Sequence, residues 1–498
     1  MKDKATKSSD STDDRSLAEF GYTQQYRRTL RSFQSFAIAF SFISITTGIF
    51  STYGFALTTG GPRAIWTWWI VIAGQTLVAI VYGALAAKIP LSGYSYQWAT
   101  RLANATVGWW IGWVSFAFLS IVTVSVDYGL VTTAIQPLLG ITTTPLNAAV
   151  WTVIVLIVQA ILIVASTVTT SRVNAAAVAT ELLGILGLTV ALIIAAAVRH
   201  VGHWSNLVST GVVSHAGYYG RLGPFMLATL LGAYTIVGFE GASNLAEETH
   251  EPRRVVPKAM IQAVLLSGIL GFAFLMSLSY AMKNISAATA SSAPVSFIIH
   301  NVLGGPVEKI FLVFVCVSIF ACGLVIMVTN TRLVWSMARD KRLPGHHLWR
   351  QVPRATGGPS WATVLVTVIG ILIVVALRND STALATLFTA SAIMPALLYA
   401  STVILYISTR HRYKTESGFF HPGRFEVPVV VGALVWLAYE LIVLLCPAEF
   451  RSAQYYVLGS LGVGVIVYIA MLFMEPQAMR STKLETLSES SKEPENRG

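Results

Sequence analysis

Two apolar stretches of this 498-residue chain carry residues that a helix built only to sit in hydrocarbon does not need. Phe33 to Gly61 is uncharged, and its centre reads Ser44-Ile45-Thr46-Thr47-Gly48-Ile49-Phe50. A second apolar run begins at Pro224 and is interrupted by Gly238-Phe239-Glu240-Gly241. Small residues let a helix unwind, and Ser or Thr hydroxyls can re-satisfy the backbone groups that unwinding frees. The exposed N–H groups and positive end of the half-helix that follows can hold a carboxylate without any basic side chain. Paired interruptions of this kind in the two halves of a long membrane chain point to a binding site at mid-membrane.

Glu240 adds a carboxyl to the second interruption. A charge at the centre of a spanning helix costs roughly 2.5–3.5 kcal/mol on insertion scales, so its presence suggests a function. An unbroken helix from Pro224 would carry Glu240 roughly 24 Å along its axis, past the midplane. Gly238 and Gly241 instead favour a break. Substrate, proton or gating involvement is the functional expectation, and a carboxyl satisfied by neighbouring helices is the plain one. Glu181 lies seven residues after Asn174, roughly 10 Å into its helix. It suits a group that loads and releases a proton, or equally one that bonds to a neighbouring broken helix. Asp127, roughly 27 Å from Trp109 along its helix, is expected near the outer mouth as a solvated charge. Glu440 is expected to play a peripheral structural role.

Other chemistries find little support. Cys316, Cys322 and Cys446 fall in apolar runs and offer neither a disulfide framework nor a zinc-type Cys/His spacing. The nine histidines lie outside the apolar runs or at their edges, which argues against a membrane-embedded enzyme or a bound metal. No repeated pore motif or nucleotide-binding loop is present, so neither a channel nor ATP-driven pumping is expected.

The elements that must position these residues follow from composition. Only 11% of residues are charged and 54% are hydrophobic, against about a quarter charged in soluble proteins. Twelve runs are long enough to span a ~30 Å hydrocarbon core: 36–58, 65–87, 108–136, 148–168, 174–198, 224–246, 258–282, 308–335, 361–377, 383–407, 427–446 and 455–474. Runs of this length satisfy their backbones as helices rather than barrel strands, so the fold class is all-α. Placing both termini in the cytoplasm puts 27 of the 34 Lys and Arg residues inside and 7 outside, as the positive-inside rule requires. The net charge of +11 comes from these short loops and suits topology and anionic lipid better than nucleic acid.

Residues 1–32 and 476–498 read as polar cytoplasmic tails around a membrane domain at 33–475. No secretory signal precedes the first span, which then serves as its own insertion signal. The longest outer loops are 200–223 and 283–307. The second holds the apolar patch Pro294-Val295-Ser296-Phe297-Ile298-Ile299, readable as a lid helix or as a packed loop, and the sequon Asn284-Ile285-Ser286.

The junction Gly238-Phe239-Glu240-Gly241-Ala242-Ser243-Asn244-Leu245-Ala246-Glu247-Glu248-Thr249-His250-Glu251-Pro252-Arg253-Arg254-Val255-Val256-Pro257-Lys258-Ala259 closely resembles the amino acid–polyamine–organocation superfamily pattern. Gly60-Gly61-Pro62, Ile89-Pro90-Leu91-Ser92-Gly93-Tyr94-Ser95-Tyr96-Gln97-Trp98 and Met337-Ala338-Arg339-Asp340-Lys341-Arg342-Leu343-Pro344 resemble its amino acid/choline transporter branch. The resemblance extends from about 20 to 475 and implies a five-plus-five inverted repeat of helices 1–5 and 6–10, with helices 1 and 6 discontinuous and 11 and 12 appended. The family's Gly-small-Gly motif falls on Thr46-Thr47-Gly48-Ile49-Phe50. Thr46 replaces the first glycine, which leaves less room for a carboxylate on the backbone and keeps choline-like or other amine substrates open. The resemblance implies a gating aromatic at Tyr234 and a proton-sensitive acid at Glu240. Where proton-coupled relatives carry a Lys, nine residues after an Arg-x-Asn start, this chain has Arg172-Val173-Asn174 followed by Glu181, which reverses the charge.

These features together lead us to expect a non-enzymatic secondary transporter of amino acids or related amines in the plasma membrane, working by alternating access. Thr46, Thr47, Gly48, Gly238, Phe239 and Tyr234 would hold the substrate, and Glu240 or Glu181 would carry the coupling proton. A choline, GABA or polyamine carrier, an exchanger, sodium coupling and a non-transporting nutrient sensor are the alternatives. No cofactor is expected beyond the coupling ion.

Overall fold

The computed structural model describes residue 28 and residues 30–142, 144–165, 167–353, 358–379, 382–410 and 419–480. The expected tails at 1–32 and 476–498 lie outside the described residues, apart from 28, 30–32 and 476–480.

Helices form wherever the apolar runs are uninterrupted, and no strand occurs among the described residues. Eleven helices among them are long and apolar enough to cross a membrane. They coincide with eleven of the twelve expected runs. The remaining run, 224–246, is in pieces: Pro224–Leu227, Leu230–Thr235 and Gly241–Asn244, with no helix at 236–240.

In chain order the elements that matter here are α1 (Ser32–Ile43) and α2 (Ile45–Gly60), two parts of one broken span, then α3 (Thr67–Lys88), α4 (Tyr94–Leu102) and α5 (Ala105–Leu130). Next come α6 (Pro145–Ala165), α7 (Thr167–Val198), α8 (Leu230–Thr235), α9 (Gly241–Asn244) and α10 (Pro252–Ala281). The chain continues with α11 (Pro294–Leu303), α12 (Gly305–Arg339), α13 (Ser360–Leu377), α14 (Ala383–Thr409), α15 (Glu426–Leu445) and α16 (Arg451–Met474).

Burial separates the centre from the rim. The most apolar window of the α5 span is 94% buried, and that of the α16 span only 17%. Rim helices present Leu183, Val198, Leu372, Ile466 and Phe473 outward, as expected where lipid is the solvent. α5 and α12 pack on each other, α10 packs on α3 and α1, and α8 packs on α2. This encloses the two broken spans.

Loops close one end of the bundle. Tyr218 donates its hydroxyl to the Gly60 carbonyl at 2.6 Å, and burial pushes its phenol up to about 12. The apolar patch at 294–299 is helical and rests on α2, α7 and α12.

Candidate functional site

The first break falls at Ser44, whose φ of 36° and ψ of 94° leave the helical region. A positive φ on a residue with a β-carbon persists only where its surroundings hold it. Here the hydroxyl does so. Ser44 Oγ accepts from the Thr47 N–H at 3.2 Å and the Thr47 hydroxyl at 2.7 Å, and donates to Glu181 Oε1 at 3.0 Å. The Thr46 N–H donates to the same carboxylate oxygen at 3.1 Å. Ser318 Oγ lies 3.5 Å from Ser44 Oγ, and the Cys322 thiol donates to the Phe42 carbonyl at 3.4 Å. Glu181 therefore sits on the amino end of α2, where the helix dipole favours an anion. Gly48 is used for close approach: a β-carbon there would run into the Thr235 side chain of α8.

The second break spans 236–240. Gly238 has φ 82°, which glycine adopts readily, and a β-carbon there would run into the Phe42 ring. The two breaks thus touch. Tyr399 of α14 stitches the second one together. Its hydroxyl accepts from the Gly238 N–H at 2.9 Å and donates to Glu240 Oε2 at 2.7 Å. Phe239 is fully buried, its ring centroid 5.3 Å from Tyr399 and 5.9 Å from Tyr82. Tyr234, on α8, bonds Ser125 of α5 at 3.2 Å, and its ring lies tilted against that of Phe388 with centroids 4.8 Å apart.

Two acids outside the breaks complete the inventory. Asp127 is a correction: it is fully buried rather than solvated at a mouth. Its helix continues through a π-turn to Leu139, and α6 and α12 cover it. Gln159 of α6 donates to Asp127 Oδ1 at 2.8 Å and to the Phe320 carbonyl at 3.2 Å. Glu440 is buried between α15 and α3, where it accepts from Gln75 at 3.3 Å, outside both breaks.

Three of the stretches quoted for the family, 89–98, 238–259 and 337–344, meet at one end of the bundle. Arg332 and Glu248 pair at 2.9 Å, and Arg339 and Glu247 at 3.3 Å. Asn244 accepts from the Gly93 N–H at 2.9 Å, and Glu247 from the Ser92 N–H at 3.1 Å. Leu30 exchanges backbone bonds with Glu248 and His250 at 3.0 and 2.9 Å. A 60 Å³ cavity beside these pairs is lined by Asn174, Glu248, Thr331 and Arg332 among others. Arg172, also quoted, lies where no side chain is described.

Thr46, Thr47, Gly48, Gly238, Phe239, Glu240 and Glu181 are therefore all at or beside the two breaks, and Tyr234 stands one turn before the second. Tyr399, Ser318 and Cys322 were not expected there. A single Tyr, Ser or Cys in an apolar run carries no signal of its own.

Among the described residues, eleven apolar helices long enough to cross a membrane, two touching helix breaks and two ion pairs at one end describe a multi-pass membrane protein. The amino acid permease family model matches residues 30–472, and the chain belongs to that family. It is similar to amino-acid permease BAT1 of Arabidopsis thaliana, at 25% identity over 87% of this chain and 88% of the relative. It is also similar to amino-acid permease 2 of Neurospora crassa, at 25% over 89% and 84%. The GABA-specific permease of Saccharomyces cerevisiae is 24% identical over 89% and 79%. The chain is a transport protein and not an enzyme.

Proposed function

We propose that this permease is a secondary transporter of amino acids or related amines, working by alternating access, with its substrate held where the two broken spans meet. The observation that carries this is the seating of Phe42 on Gly238, with a buried carboxyl beside each break, Glu181 at Ser44 and Glu240 at Gly238. Thr46, Thr47 and Gly48 form one wall of the cradle, and Gly238 and Phe239 the other. Tyr234 covers it.

Protons drive uptake in this scheme. Glu240 or Glu181 binds a proton with the substrate and releases it as the site turns over. The protein acts in the plasma membrane with both termini in the cytoplasm, in keeping with the bias of Lys and Arg among the loops. A choline-, GABA- or polyamine-type substrate is the second reading, favoured by Thr46 and by the likeness to a GABA-specific permease.

Uptake into proteoliposomes with an imposed pH gradient tests the scheme. Labelled amino acids and amines should accumulate above equilibrium and a protonophore should abolish the accumulation. Equal uptake with and without the gradient would remove the proton drive and leave exchange or sodium coupling. Binding without uptake or counterflow would leave a sensor.

A further inference from the structure

Three of the amide donors that a substrate carboxylate would seek at the first break are already used by the chain. Thr46 N–H donates to Glu181 Oε1 at 3.1 Å, Thr47 N–H to Ser44 Oγ at 3.2 Å and Gly48 N–H to the Ser44 carbonyl at 3.0 Å. At the second break Gly238 N–H is taken by Tyr399, and Gly241 N–H by the Gly238 carbonyl. No Lys, Arg or His occurs at 33–62, 102–171, 222–249 or 310–331, the runs that supply α1, α2, α5, α8, α9 and most of α12.

The same region is rich in groups that attract a cation. Glu181 and Glu240 are both buried there. Aromatic rings flank the breaks: Phe42 lies on Gly238, and Phe239, Tyr82 and Tyr399 have mutual centroid distances of 5.2–5.9 Å. Aromatic faces hold ammonium and quaternary ammonium groups through their quadrupoles.

We propose that Glu181 is a built-in surrogate for a substrate carboxylate, and that it makes this permease selective for amines or quaternary ammonium ions that lack a carboxylate next to the nitrogen. This rests on the transporter reading above and narrows its substrate class. Glu181 fills the amino end of α2 and, with Glu240 as the acid that carries the coupling proton, a carboxylate arriving there meets a like charge and occupied Thr46 and Thr47 N–H groups. An amine without that carboxylate loses nothing, and its cation faces two buried acids and the rings.

The test is binding of matched pairs to the purified full-length protein in lipid nanodiscs: serine and ethanolamine, arginine and agmatine, ornithine and putrescine, glycine betaine and choline. The carboxylate-free member of at least one pair should bind more tightly by about tenfold or more, a difference of ~1.4 kcal/mol. Glu181→Gln should reduce that ratio by a similar factor. Glu181→Asp, which withdraws the carboxylate by one methylene, serves as the second variant if the first does not assemble. Tighter binding of the acid in every pair would overturn the proposal, as would ratios unchanged in both variants or binding of neither member. Preference for the acid with active uptake would sink this proposal alone. Preference for the amine without uptake or counterflow would sink the carrier reading and leave this one standing.

Discussion

The Tyr399 hydroxyl stands inside the second helix break, donating to Glu240 Oε2 at 2.7 Å while accepting from the Gly238 N–H at 2.9 Å. One side chain from a distant helix thus satisfies a freed amide and a buried carboxyl together. Tyr399→Phe leaves both without that partner. A buried group deprived of its hydrogen bond costs about 1–3 kcal/mol, so the variant should melt earlier and transport more slowly. Unchanged melting in a thermal-shift assay would show that the break is held by other contacts.

Glu240→Gln keeps the shape of the carboxyl and removes its proton chemistry. If Glu240 carries the coupling proton, wild-type uptake falls as external pH rises and the variant's uptake stays flat. Uptake in proteoliposomes across a pH series measures this. A variant with the wild-type pH profile would take Glu240 out of the mechanism.

Gly48→Leu places a side chain where only a hydrogen fits against Thr235. The first span should still insert, because a leucine favours the membrane, but α2 and α8 could no longer approach. Substrate binding should be lost. Normal affinity in a correctly inserted variant would discredit the first-span wall of the cradle.

Glu248 and Arg332 form a buried ion pair at one end of the bundle. Breaking a buried pair by removing one partner costs about 3–5 kcal/mol. Glu248→Gln should therefore favour the state open at that end. Asn174→Cys, in the adjoining cavity, reports the opening through faster labelling by a water-soluble maleimide. Equal labelling rates with and without Glu248→Gln would mean that the pair does not hold the end shut.

Asp127 distinguishes structure from coupling. Asp127→Asn keeps an acceptor for Gln159, whereas Asp127→Ala removes it and leaves one hydrogen of the Gln159 amide without an acceptor while the other stays on the Phe320 carbonyl. The alanine variant should lose about 1–3 kcal/mol of stability relative to the asparagine one. Equal melting of the two would show that Gln159 finds another partner.

The residues alone determined the membrane class, the helical fold and the place of both interruptions. Backbone satisfaction in lipid leaves an apolar run few choices, and Ser, Thr and Gly at mid-run are where that rule relaxes. Glu181 and Glu240 stood out as carboxyls in apolar runs for the same reason. Their partners did not. That Glu181 would reach Thr46 and Ser44 from 135 and 137 residues away, or that Tyr399 would close the break at Gly238, depends on how helices pack across the bundle. Helical periodicity says which residues share a face, not which other helix that face meets. Asp127 shows the cost of reading depth from one helix axis: the neighbours supplied by α6 and α12 decide its burial, and only the tertiary structure brings them there.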